Sequence, residues 1–161
     1  LPILLRPGGG TALFDALYYA CRDKLMKEPH SGPVRKAIIL LTDGDDNLSH
    51  VTREEAIEMA QRAEVVVYTI STNLTDKGGE GDKVLQRIAD ATGGRSYTPF
   101  QLTDVADAFG KIQDELRSQY ALSFRPPELV PDGSFHVVQI LAKNHKGLRI
   151  RGRLGYYAPN Q

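Results

Sequence analysis

The run Asp43-Gly-Asp45-Asp46-Asn47 sets three carboxylates and an amide within five residues, directly after the apolar stretch Ala37 to Thr42. Carboxylates that close repel one another unless positive charge lies among them, and such oxygen donors suit a hard cation: Mg²⁺, Mn²⁺ or Ca²⁺. Two rival chemistries use similar residues. In a phosphatase of the Asp-x-Asp type, Asp43 would attack phosphorus and Asp45 would move the proton. Asn47 stands where that pattern has Thr or Val, and no later strand end carries a second acidic pair for Mg²⁺. Asp43, Asp45, Asn47, Ser49 and Glu54 also fall at positions 1, 3, 5, 7 and 12 of an EF-hand-like calcium loop. Its sixth position, which needs glycine for a sharp turn, is Leu48, and the preceding run reads as strand rather than helix.

The remaining motifs are weaker. Gly8-Gly-Gly10 and Gly78-Gly-Glu-Gly81 lack both the Gly-Lys-Ser/Thr ending and a full Gly-x-Gly-x-x-Gly, so they read as turns rather than phosphate loops. No Gly-x-Ser-x-Gly elbow is present, which leaves a serine hydrolase without a nucleophile. Arg149, Arg151 and Arg153 alternate and so share one strand face, with only Tyr156 and Tyr157 as aromatic neighbours beyond. That is too little stacking surface for nucleic acid. A solvated basic face that discourages edge pairing is the simpler reading.

The elements that position these residues follow from periodicity. Pro7-Gly-Gly-Gly10 breaks structure and Thr11 opens a helix to about Lys27, with Leu13, Leu17, Cys21 and Leu25 at helical spacing. Thr11 also has the side chain to cap it. Glu28 to Pro33 reads as a loop. The unbroken apolar run Ala37 to Thr42 predicts a strand buried on both faces of a parallel sheet, which delivers Asp43 at its carboxyl end. Thr52-Arg-Glu-Glu55 is a capping box for a helix that turns Ala56, Ile57, Ala60 and Ala63 inward. Val65 to Ile70 is a second buried strand, and Ser71 to Gly81 a loop. Asp82 is expected to cap a helix stopped by Gly93-Gly94. Arg95 to Thr98 forms a short strand, and Thr103 opens a last helix with Val105, Phe109, Ile112 and Leu116 on one face. Beyond it, Tyr120 to Phe124, Phe135 to Ala142 and Leu148 to Tyr157 read as antiparallel strands, the last two joined by a turn at Asn144 to Gly147.

At 161 residues, 41% hydrophobic and 25% charged, the chain has the size and composition of one globular fold. No stretch approaches the roughly 20 apolar residues of a membrane helix, so no membrane insertion is expected. Cys21 is the only cysteine, which excludes an internal disulfide and a cysteine-rich zinc site. From Arg117 onward seven Lys/Arg stand against two Asp/Glu, leaving 13 against 18 before it, a split of +5 and −5. Such asymmetry guides self-association or contact with a polyanion.

Gly9-Gly10-Thr11-Ala-Leu-Phe-Asp-Ala-Leu17 followed by Ile38-Ile-Leu-Leu-Thr-Asp43-Gly44 resembles the von Willebrand factor type A domain, most closely its bacterial VWFA-related subfamily. The likeness covers roughly residues 6 to 116, and Tyr120 to Phe124 and Arg153 to Tyr157 look like strands that follow the domain in that subfamily. It implies a Rossmann-like parallel sheet flanked by helices, with a C-terminal antiparallel β extension. It further implies a metal-ion-dependent adhesion site to which Thr11 and Asp43 contribute, with Asp45 and Asp46 at the rim. The family's Asp-x-Ser-x-Ser loop has no counterpart here. The chain, which starts at Leu1, is therefore expected to be an N-terminally truncated copy whose site is incomplete and whose cation binds weakly or not at all.

The expected division is a partial type A unit over residues 1–118 and an antiparallel extension over 119–161 packed on it. The expected function is non-enzymatic protein binding, with a partner's Asp or Glu carboxylate completing the cation's shell. The alternatives are a metal-independent interaction module using an exposed sheet edge, self-association through that edge included, and an Mg²⁺-dependent phosphatase centred on Asp43 and Asp45. A cell-envelope or secreted setting is implied by the resemblance alone.

Overall fold

The structure is a computed structural model and describes residues 9–29, 32, 34–73, 78–126, 130–143, 147–148 and 150–160. Three parallel strands lie in the order β1-β2-β3: β1 Lys36–Thr42, β2 Val65–Ser71 and β3 Ser96–Tyr97. β1 runs in register with β2 from Lys36 beside Val65 to Thr42 beside Ser71. The helices are α1 (Leu13–Tyr19), α2 (Arg53–Arg62), α3 (Glu80–Thr92) and α4 (Leu102–Arg117). A separate antiparallel pair, β4 (Phe135–Val137) and β5 (Gly155–Tyr157), completes the described elements.

Side chains alternate across a strand, and β2 shows what that does. Val65 and Val67 face a core built with Leu17 of α1, Cys21 of the π-helical turn that continues it, Ala56 and Ala60 of α2, and Ile88 and Ala91 of α3. Tyr68 and Ile70 face Ala108 and Ile112 of α4. Covered on both faces, β2 is buried at six of its seven positions, as an apolar run in a central parallel strand should be. Leu85, Ile88 and Ile112 are almost wholly enclosed.

β1 departs from the expectation of burial on both faces. Its even-numbered residues are half-buried while Ala37, Ile39 and Leu41 are exposed. Ile38 and Leu40 pack on the α1–α2 side. On the other side α4 packs against β2 and the flank of β3, and among the described residues β1 has a strand neighbour on one side only. An apolar run records that a strand can be buried; what covers it is decided by its neighbours.

Four boundaries also differ. Helical structure begins at Leu13, not Thr11, and its second half is a π-helical turn over Ala20–Leu25. Asp82 lies inside α3, whose N-cap position is Gly79, and accepts the Gly78 N–H at 2.7 Å from within the first turn. α4 begins at Leu102, where Gln101 and Asp104 form a reciprocal box, and Phe109 is 42% exposed because the helix turns Ala108 and Ile112 to the sheet instead. Of the expected C-terminal strands only Phe135–Val137 and Gly155–Tyr157 form ladders, and Tyr120 to Phe124 is exposed and unpaired among the described residues. Asn144 to Lys146 of the expected turn, Arg149, Pro7-Gly8, His30, Ser31, Pro33 and residues 74–77 of the expected loops lie outside the described residues. The Thr52–Glu55 capping box forms as expected, with bonds of 3.2 and 2.7 Å, and Gly93 ends α3 in the left-handed region at φ 85°.

β5 packs at the amino end of the sheet's strands. Arg62 lies over the Tyr157 ring at 4.1 Å, and Arg153 pairs with Glu64 at 3.1 Å, just before β2 begins. The antiparallel pair thus occupies the end of the domain opposite Asp43.

Candidate functional site

The carboxyl ends of β1 and β2 hold Asp43. Its Oδ1 accepts the Asp45 N–H at 3.1 Å, which closes a tight turn through Gly44, and its carbonyl accepts Asn73 Nδ2 at 2.8 Å. Gly44 sits at φ 87° with its α-carbon against the Gly81 backbone, so a Cβ there would meet the Gly81 carbonyl; a Cβ on Gly81 would in turn meet the carbonyl of Asp43. Two glycines bring the turn and the first turn of α3 into van der Waals contact. Beneath them Asp82, 5% exposed, accepts the Ser71 hydroxyl at 2.5 Å, tying the end of β2 to α3. Asn73 carries no motif signal, and Asp82 carries only a helix-cap signal. Only the folded backbone brings them to Asp43.

The segment after Asp43 has a different task from Asp43 itself. An α-helix leaves its first N–H groups without partners, and Ala12, at the N-cap of α1, offers no side-chain acceptor. The β1 loop supplies acceptors instead. Asn47 Oδ1 takes the Thr11 N–H at 2.8 Å, Asp46 Oδ2 the Phe14 N–H at 2.9 Å, and Ser49 Oγ the Asp15 N–H at 2.9 Å. The bonding is reciprocal: the Thr11 carbonyl accepts the Asn47 and Leu48 N–H groups at 3.0 and 3.1 Å. Asp15 accepts those of His50 and Val51 at 2.9 and 3.0 Å, and its second oxygen lies 3.0 Å from His50 Nδ1. Residues 11–15 and 46–51 form one clasp, so two residues of the calcium-loop match, Asn47 and Ser49, bond the start of α1 instead. Glu54, the last of that set, pairs with Arg53 at 2.7 Å.

The electrostatics agree with this division. Burial by itself would raise the Asp46 carboxyl, but hydrogen bonds from the Ser49 hydroxyl and from the Phe14 and Ser49 N–H groups outweigh it and hold the group below the ordinary carboxylate value. The Val51 N–H and the His50 ring hold Asp15 low in the same way. Asp45 is exposed and Asp43 half-buried. Burial pushes the Cys21 thiol up to about 11, which leaves it a protonated packing group at neutral pH.

Of the two residues expected to hold a hard cation, Asp43 follows the end of β1 and Thr11 is tied through its backbone to the loop beyond Asp43. Asp43 Oδ2 has no hydrogen-bond partner among the described residues. Thr11 is exposed and fixed to the Asp43 loop through its backbone. Hard oxygen ligands of this type fit Mg²⁺, which keeps several waters and takes only a few protein donors. Asp46 is turned away to α1. Among the described residues no three His, Cys, Asp or Glu side chains are arranged to hold a metal.

A parallel sheet flanked by helices, followed by a separate antiparallel pair, is the fold of a von Willebrand type A domain with a C-terminal extension. The family model for the von Willebrand factor type A domain matches residues 3–115, and the chain belongs to that family. Domains of this family are generally protein-interaction or adhesion modules, usually without enzymatic activity, and often carry a divalent metal. None of the curated proteins matches the chain. Among solved structures, an uncharacterized membrane spanning protein from Vibrio fischeri is 21% identical, with 51% of this chain and 47% of that chain covered and a TM-score of 0.44. The match therefore spans about half of that protein's chain. No helix among the described residues is long and apolar enough to cross a membrane.

Proposed function

We propose that the chain is a non-enzymatic protein-binding module whose contact site is a divalent cation held at the carboxyl edge of the sheet by Thr11 and Asp43. The observation that carries this reading is the placement of Asp43: its backbone is pinned by Asn73 and the Gly44–Gly81 contact, and one carboxylate oxygen has no hydrogen-bond partner among the described residues. A carboxylate held that way by its backbone loses little freedom on taking a cation. When bound, the cation would offer open coordination positions to an oxygen ligand, and the partner chemistry that fits is an Asp or Glu carboxylate. Thr11 contributes a neutral hydroxyl, which leaves the cation electron-poor. Asp45 keeps negative charge at the rim, and Asp46 acts through α1, whose start it fixes beside Thr11. With these two donors alone the site is half of a coordination shell, and weak affinity is expected.

The test is titration calorimetry with Mn²⁺ and Mg²⁺ on the chain and on Asp43→Asn. Heat of binding that vanishes in the variant supports the reading. Identical titrations of the two proteins overturn it. A second reading, an interaction module that needs no metal and uses the edge of the sheet, is favoured by the exposure of Ile39 and Leu41. Partner binding that survives EDTA would select it.

A further inference from the structure

We infer that the groove between α2 and α3 binds a basic segment of a partner protein, with an arginine or lysine side chain seated at its amino end beside Gln61 and Asp90. The site lies apart from Thr11 and Asp43 and needs no cation. α2 and α3 pack side by side on one core, through Ala56 and Ala60 of the first and Ile88 and Ala91 of the second. Side chains three and four apart share the helix face that borders the groove between them. The groove encloses about 1040 Å³, with Ile57 and Val84 on its lining and Leu154 and Tyr157 of the C-terminal extension at one end. Along α2 it runs from Arg53 to Gln61, a rise of roughly 12 Å. That length suits three or four residues of an extended chain, at roughly 3.3 Å each.

Two acceptors define the amino end. Gln61, only 8% exposed, lines the groove, and its Nε2 donates to the Ala91 carbonyl at 2.9 Å. That bond fixes the amide, because the reverse orientation would set two oxygens against each other. Oε1 is left with no hydrogen-bond partner among the described residues and is open to the groove. Asp90 precedes Ala91, is exposed, and accepts Gln86 Nε2 at 2.8 Å, with no ion-pair partner among the described residues. The other charges on the lining are already matched. Arg53 and Arg87 share Glu54 at 2.7 and 3.6 Å, Lys83 takes Glu80 at 2.6 Å, and Glu58 takes Arg62 at 2.8 Å. Asp82 is turned to Ser71.

This balance selects the ligand. An anion meets no unpaired guanidinium or ammonium on the lining, and a purely apolar ligand would leave the Gln61 acceptor facing a dry surface. A guanidinium or ammonium on an alkyl stem satisfies every group at once. Its N–H groups donate to Gln61 Oε1 and to the Asp90 carboxylate. Its methylenes lie on Ile57, one turn before Gln61, and on Leu154, 52% exposed at the same end. The rest of the segment follows the apolar lining past Val84 toward the paired charges at Arg53 and Arg87.

The experiment is fluorescence anisotropy of the full chain with a labelled hexapeptide of alternating arginine and leucine, beside its glutamate and leucine counterpart. The arginine peptide is expected to bind, more weakly as salt rises, and the glutamate peptide to stay free. Asp90→Asn should weaken binding about fivefold, the scale of a partly exposed charge pair, and Asp90→Lys should abolish it. Residue 90 is exposed, so both variants should keep the circular-dichroism spectrum of wild type. Asp107→Lys changes net charge equally on the exposed side of α4 and should leave affinity nearly unchanged, as should EDTA. A readout that needs no variant is the amide spectrum of wild type, where the peptide should shift Gln61 and Ala91. No binding, an equal loss from Asp107→Lys, or shifts confined to other residues would each overturn the proposal. So would loss of binding in EDTA or in Asp43→Asn, which would place the peptide at the opposite end of the sheet. Equal affinity for arginine methyl ester would assign the groove to a small amine and reject the protein segment.

Discussion

Replacing Asp46 with alanine should destabilise the domain by about 2 kcal/mol, although sequence motifs place this residue at a ligand site rather than in a helix cap. Asp46 accepts the Phe14 N–H at 2.9 Å, the Ser49 N–H at 3.0 Å and the Ser49 hydroxyl at 2.5 Å. Loss of an N-cap acceptor costs roughly 0.5–2 kcal/mol. Bonds to a charged acceptor contribute roughly 1.5–3 kcal/mol each where water is excluded. Asp46 is only half-buried, so water replaces part of what is lost, and the sum settles near the upper end of the capping range. For a domain of this size, that lowers Tm by roughly 4–8 °C.

Urea unfolding followed by circular dichroism gives the stability change, and amide exchange locates it. Phe14 and Ser49 should lose protection before the strands do. The pH dependence has a definite sign. The folded carboxyl is held below its ordinary value of 3.8, so its contribution is fully present above about pH 4 and falls away as acid protonates the folded form. Asp46→Asn should therefore flatten the acid limb of the stability curve and leave the alkaline limb alone. A midpoint within experimental error of wild type, with Phe14 still protected, would refute the clasp as the anchor of α1.

Two further expectations concern packing. Gly44→Ala adds a Cβ both at φ 87° and against the Gly81 carbonyl, so it should cost about 2 kcal/mol or more through strain and overlap; thermal unfolding measures it, and a stability equal to wild type would show that the turn can move away from α3. Cys21, fully buried with its thiol raised to about 11, should resist iodoacetamide in the native state at neutral pH and react in urea, as mass spectrometry would show; rapid native labelling would mean that the π-helical turn opens.

Much of the framework is legible from local chemistry. The capping box at Thr52 and Glu55, the stop at Gly93 and the two parallel strands depend on near neighbours and on the period of apolar residues, so reading along the chain recovers them. So does the arrival of Asp43 at the end of β1. The partners of the acidic loop are another matter. Asp46, Asn47 and Ser49 satisfy backbone groups more than thirty residues away in sequence, and no spacing rule reports a partner at that distance. Ligand-like spacing and helix capping draw on the same residue types because both need compact oxygen acceptors. Which of them is realised depends on whether the nearest electropositive group is a cation or a helix N-terminus.

The same limit applies to β1. Its sequence determined a strand apolar on both sides, and the alternation of its backbone groups follows from being a strand at all. Tertiary structure decided that one side would be covered and the other left open, because α4 settles on β2 and the flank of β3, where Tyr68, Ile70 and Tyr97 give it apolar surface. Composition sets what a segment can bury, while the order of strands and the reach of the covering helices determine what it does bury.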